Sequence, residues 1–119
     1  MTAAYPEGFW DHFRRPRQVG RLDPCDRVWE KQSPHCADRI RFTARFRGGR
    51  VEDIRFQALG CSVLIAAASA AAEAVRGKPL AEVVQNDGAF ILEVLGPLPA
   101  RKRRCAVFAW ETLREGLRG

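Results

Sequence analysis

The chain has 119 residues, 46% hydrophobic and 29% charged, with a net charge of +6 from 20 basic and 14 acidic side chains. That composition can close one core without disulfide staples and is too apolar for a disordered chain, so residues 1–119 are expected to form a single domain. The positive balance favours anionic partners without choosing among nucleic acid, acidic proteins and phosphorylated ligands.

Phe9, Trp10 and Phe13 recur at helical spacing, and Pro16 stops that helix. Residues 21–38 lack periodicity and read as a loop with a short strand around Arg27–Glu30. From Arg39 to Arg47 the pattern alternates: Ile40, Phe42, Ala44 and Phe46 share one face, and Arg39, Arg41, Thr43, Arg45 and Arg47 share the other. This is the signature of a half-buried strand. Gly48-Gly49 supplies a tight hairpin turn, and Val51 to Ala58 reads as the returning strand. Gly60 breaks it. Ser62 to Val75 is an Ala-rich helix ended by Gly77; Leu80 to Gln85 is a short helix started by Pro79. Asn86-Asp87-Gly88 is a turn, Phe90 to Leu95 a further short helix, and about Arg103 to Leu117 the last one, with Val107, Phe108, Trp110, Leu113 and Leu117 as its apolar contacts. An antiparallel hairpin followed by helices points to an α+β fold, a small antiparallel sheet with helices packed on one face.

The longest small-apolar run, Cys61 to Ala72, falls short of the ~20 residues a bilayer span needs. The opening segment, with Glu7 and Asp11, has no secretory h-region. A cytoplasmic protein with reduced thiols, and no membrane association, is expected.

Four cysteines remain to be placed: Cys25, Cys36, Cys61 and Cys105. No pair has the C-x-x-C spacing of a zinc knuckle or thioredoxin site. Three of them fall at element ends, where filler cysteines are uncommon. Cys36 precedes the first long strand, Cys61 sits in the corner Gly60-Cys61-Ser62, and Cys105 is expected at the start of the last helix. A helix start lowers a thiol pKa, and Arg101, Lys102, Arg103 and Arg104 add positive potential beside Cys105. Thiolates are nucleophiles and soft ligands for zinc, Cu(I) and iron–sulfur clusters. Asp38 could supply a fourth, oxygen ligand.

These residues resemble the NifU-N/IscU/SufU family of iron–sulfur cluster assembly proteins. Asp11-His12-Phe13-Arg14-Arg15-Pro16-Arg17-Gln18-Val19-Gly20 is similar to the family's DHF-x-NPRN-x-G segment. Pro34-His35-Cys36-Ala37-Asp38 is similar to its P-x-CGD motif, Gly60-Cys61 to Ser69 to its GC-x4-A-x2-S motif, and Gly77-Lys78 to the GK that follows. Arg104-Cys105-Ala106-Val107-Phe108-Ala109-Trp110 resembles the third cysteine motif in its SufU form. The likeness runs through nearly the whole chain in order. It departs where Ala37 stands for the usual Gly and Leu59 for a small residue. Arg104 takes the place of the histidine of IscU-type members, while the segment between the second and third cysteines is short, as in IscU.

The resemblance implies a site of Cys36, Asp38, Cys61 and Cys105 holding zinc or a [2Fe-2S] cluster. It implies a scaffold or carrier more than a true enzyme, with sulfurtransferase activity as the enzymatic option. Its partners would be a cysteine desulfurase, which supplies persulfide sulfur, and apo iron–sulfur proteins, which receive the product. Cys105 in an IscU-like mechanism and Cys36 in a SufU-like one are both candidate sulfur acceptors, with Cys61 between them. The implied fold is the SufE/NifU fold, in agreement with the pattern above. Cys25 matches no family position; His12 falls in the helical segment as a structural group, and His35 is a loop histidine or an alternative ligand. Trp10, Trp29 and Trp110 read as packing groups and the arginine face of the first long strand as solvated. Two other readings stand beside this one: a small basic nucleic-acid-binding module, which lacks a recognition-helix or RNP pattern, and a structural zinc module without sulfur chemistry.

Overall fold

The expected hairpin is the frame of the molecule. The computed structural model describes residues 5–34 and 37–119. Helix α1 (Glu7–Arg14) precedes strands β1 (Arg27–Gln32), β2 (Arg39–Arg47) and β3 (Arg50–Leu59), which form one antiparallel sheet in the order β1-β2-β3. Helices α2 (Ser62–Val75), α3 (Leu80–Gln85), α4 (Ala89–Leu95) and α5 (Ala100–Arg118) follow. Among the described residues no helix is long and apolar enough to cross a membrane.

Arg47 pairs with Arg50 across the two-glycine turn, where Gly48 and Gly49 have φ of 58° and 75°. A two-residue hairpin loop of this hand matches the twist of the strands, and only glycine adopts it freely. The register shifts between Arg45 and Phe46: Arg45 faces Asp53 and Phe46 faces Val51, so Glu52 is the extra residue of a bulge in β3. The bulge explains why Val51 and Ile54, three residues apart, both point into the core. Ile40, Phe42 and Ala44 are fully buried as their alternation requires. Thr43 does not follow the pattern. It is buried on the face expected to be solvated, because the segment after α1 crosses there and the Leu22 N–H donates to Thr43 Oγ1 at 2.9 Å. The rest of that face is solvated, with Arg39 and Arg41 both pairing with Glu30.

β1 runs two residues beyond its expected end: Lys31 and Gln32 continue the pairing opposite Ile40 and Arg39, and Lys31 Nζ lies 3.0 Å from Glu115 Oε1 of α5. Trp29 stacks on Phe42 and donates its indole N–H to the Thr112 carbonyl at 2.8 Å, and Arg27 donates to the Gly116 carbonyl at 2.7 Å. Trp29 lies so close to α5 that a Cβ on Gly116 would overlap its indole.

α2 is the central helix, packed between α1, α5 and β3. Alanines at 66, 67, 68, 70, 71 and 72 are buried on all sides, since only small side chains let three neighbours approach one helix this closely. α5 begins at Ala100, three residues before its expected start, with Pro99 at its N-cap. Val107, expected in the core, is 44% exposed, whereas Trp110, Leu113 and Leu117 are buried as expected.

Candidate metal centre

Three of the four residues singled out by their chemistry meet at one end of the sheet. β3 ends at Leu59, the chain turns at Gly60, and Cys61 is the N-cap residue of α2. Asp38 immediately precedes β2, and Leu59 pairs with Arg39, so the register sets Asp38 beside the Gly60-Cys61 corner. Cys105 comes from the second turn of α5, which packs along α2. Asp38, Cys61 and Cys105 each place one ligand atom within 4.8 Å of the others. The two sulfurs are 3.3 Å apart, and Cys61 Sγ is 3.9 Å from Asp38 Oδ2.

Asp38 is fixed at this corner by its surroundings. It is buried at 6% exposure, and the Cys61 backbone N–H donates to its Oδ1 at 3.3 Å. A Cβ on Gly60 would come within 2.7 Å of its Cγ, so the corner admits the carboxylate only because residue 60 has no side chain. Both cysteines are half-buried.

Cys105 is not at a helix start, and the expected lowering of its pKa does not occur. In the metal-free protein its thiol is pushed up to about 12, first by burial and then by Cys61 and Asp38 beside it. Groups that resist sharing negative charge in this way are suited to a cation, which reverses the local logic and holds thiols as thiolates. A tetrahedral zinc with bonds of about 2.0–2.3 Å needs donor–donor edges of roughly 3.5–3.8 Å. The two sulfurs lie a little inside that range and the Cys61–Asp38 pair a little outside it, and all three donors lie within 4.8 Å of one another, so the donor set suits such an ion.

Cys36 and His35 lie outside the described residues. Cys25 is half-buried in the loop before β1 and is not part of the cluster. His12 is structural: it is buried, its Nδ1 lies 2.8 Å from Ser69 Oγ, and Arg17 N–H donates to the same oxygen at 2.9 Å. Since Arg17 Nη1 also faces Nδ1, at 3.3 Å, that nitrogen acts as the acceptor and Ser69 as donor to it. Burial, then the Arg17 charge, holds the His12 pKa below its ordinary value. This contact pins α1 to α2, the helix that carries Cys61.

Gly60 is the residue that the sequence did not mark as part of the site. Its signal was present as a glycine between a strand and a cysteine, but its neighbour across the sheet is visible only in three dimensions.

A family model described as the NifU-like N terminal domain matches residues 4–119. The iron–sulfur cluster assembly scaffold protein IscU of Aquifex aeolicus is 35% identical over 120 residues, covering 99% of this chain and 76% of that protein. The zinc-dependent sulfurtransferase SufU of Bacillus subtilis is 30% identical over 136 residues, covering 98% of this chain and 91% of that protein. Among solved structures, the N-terminal part of a NifU-like protein from Brucella abortus superposes with a TM-score of 0.75 at 18% identity, covering 95% of this chain and 91% of that one, a likeness of fold.

Proposed function

The chain belongs to the NifU-like N-terminal domain family, and from that membership we propose that it works in iron–sulfur cluster assembly, as a scaffold or as a zinc-bound acceptor of persulfide sulfur. The whole of residues 1–119 is read as one NifU-N/IscU-like domain acting in the cytoplasm, where thiols stay reduced. Its proposed ligands for zinc or a [2Fe-2S] cluster are Cys36, Asp38, Cys61 and Cys105. The observation that carries this reading is the convergence of Asp38, Cys61 and Cys105 from three separate elements onto donor distances suited to one tetrahedral ion. A structural zinc module without sulfur chemistry is less well supported. Its sites are usually closed by four Cys or His ligands, and a carboxylate among thiolates makes a more labile centre.

Bound zinc would keep the cysteines as thiolates. Sulfur transfer then needs one cysteine sulfur, freed as a thiolate, to attack the outer sulfur of a persulfide on a cysteine desulfurase. The new S–S bond forms here as the donor's S–S bond breaks, and the donor cysteine departs as its own thiolate. Cys36, Cys61 and Cys105 are the acceptor candidates, and apo iron–sulfur proteins the recipients.

Incubating the protein with a cysteine desulfurase and cysteine, then mapping peptides by mass spectrometry, tests the reading. The increment of one sulfur atom should appear on one of these three cysteines. A chain that gains none from the desulfurase, and forms no visible chromophore with iron and sulfide under anaerobic conditions, would refute it. Asp38→Ala should slow release of an assembled cluster to a recipient.

A further inference from the structure

Most cations of this chain are engaged inside the fold. Arg15 and Arg17 pair with Asp11, Arg45 and Arg47 with Glu52, and Arg55 and Arg76 with Asp53. Arg101, Lys102, Arg103 and Arg104 differ. They are four consecutive cations at the beginning of α5, three of them exposed, and none of their side chains has an ion pair or hydrogen bond with a described residue.

Their placement is unfavourable for the helix itself. The first turns of a helix carry the positive end of its dipole, and α5 has no acidic residue in its first turn to offset four positive charges. Arg101 and Arg104 are also like charges at i and i+3, which repel. A local rule broken without compensation inside the fold marks a surface whose compensation comes from outside.

The four cations line a groove that also includes Val107 and Phe108 and reaches Asp38 and Cys105. Val107 is 44% exposed, an apolar group left open beside the charges. We propose that this groove docks an acidic segment of a protein partner. Its carboxylates lie against Arg101 to Arg104 and an apolar side chain covers Val107 and Phe108, so that the partner's neighbouring residues reach Cys105. A nucleic acid fits less well. Asp38 and Glu111 line the same groove, and an unbroken polyanion laid along it meets both, whereas a peptide places its charges selectively. The inference does not depend on what Cys105 binds.

The test is binding of a fluorescent peptide of sequence Glu-Glu-Leu-Glu-Glu-Leu-Glu-Glu to the full chain, read by anisotropy, with a single-stranded oligonucleotide measured in parallel. The peptide should bind saturably, and the double variant R101E/R104E should weaken it by about tenfold or more, the effect of inverting two ion-pair contacts. The double variant R21E/R118E changes net charge equally and should leave the affinity within about twofold, since long-range charge alone is screened at physiological salt. Val107→Ser should weaken the peptide as well. The melting temperature of R101E/R104E should match or exceed that of the parent, because the dipole is then complemented. Equal weakening by both double variants, no peptide binding, a lower melting temperature for R101E/R104E, or tighter binding of the oligonucleotide than of the peptide would each overturn the proposal.

Discussion

Replacing Gly60 by alanine reaches the candidate centre without touching a ligand. The added Cβ would lie 2.7 Å from Asp38 Cγ and 3.0 Å from Leu64 Cδ2. Ordinary carbon contact begins near 3.5 Å, so the carboxyl must retreat by about 0.8 Å. A carboxylate at the end of a short side chain can do this at little cost in stability, but not while remaining a ligand beside Cys61 and Cys105. The expected result is a loss of about 10–100-fold in zinc affinity, the range for disturbing a residue that orients a ligand, approaching that of Asp38→Ala. Residue 60 also has φ of +154°, which adds about 1–2 kcal/mol of backbone strain for alanine. Gly77→Ala separates the two effects: Gly77 has φ of +83° and nothing within 4 Å of the added Cβ. It should lose stability and keep zinc. Affinity is read by competition with a chromophoric chelator and stability by thermal unfolding. If Gly60→Ala binds zinc within about twofold of the parent, Asp38 is not held as a ligand by this corner and the reasoning fails.

Two further predictions concern the scaffold around the site. His12 is held below its ordinary pKa of 6.5 by burial and the Arg17 charge, so the unfolded chain binds its proton first. Its contribution to stability is therefore complete above that value and is lost as the pH falls through the folded pKa. Melting temperature should fall more steeply between about pH 7 and pH 5 in the parent than in His12→Asn; parallel profiles would show that Ser69 does not depend on a neutral imidazole. Thr112 is 1% exposed and its Oγ1 has no hydrogen-bond partner among the described residues. Thr112→Val should stabilise the protein by about 1 kcal/mol, or a melting temperature higher by roughly 4 °C, by removing a buried unpaired hydroxyl. A decrease would mean that the hydroxyl is satisfied.

The alternating pattern of β2, the two-glycine turn and the Ala-rich run of α2 were legible because each signal is local. So were Asp38, Cys61 and Cys105 as ligand candidates, from residue chemistry and motif resemblance together. What escaped was set by contacts distant in sequence. Thr43 is buried by the Leu22 segment, and β1 is extended where Lys31 and Gln32 pair with β2 and Lys31 reaches Glu115 of α5. The bulge at Glu52 exists only in the pairing of two strands. α5 begins at Ala100 rather than at about Arg103, directly after Pro99, and this moves Cys105 from a helix terminus to the second turn. The consequence is chemical: the expected acidic thiol is a raised one, because burial and then Cys61 and Asp38 beside it oppose its charge.

X-ray absorption at the zinc edge of the zinc-loaded protein tests the centre most directly. The account predicts a shell of three sulfurs at about 2.3 Å and one oxygen near 2.0 Å, from Cys36, Cys61, Cys105 and Asp38, losing one sulfur in Cys105→Ala. A shell made only of nitrogen and oxygen, or one unchanged by that substitution, would contradict it.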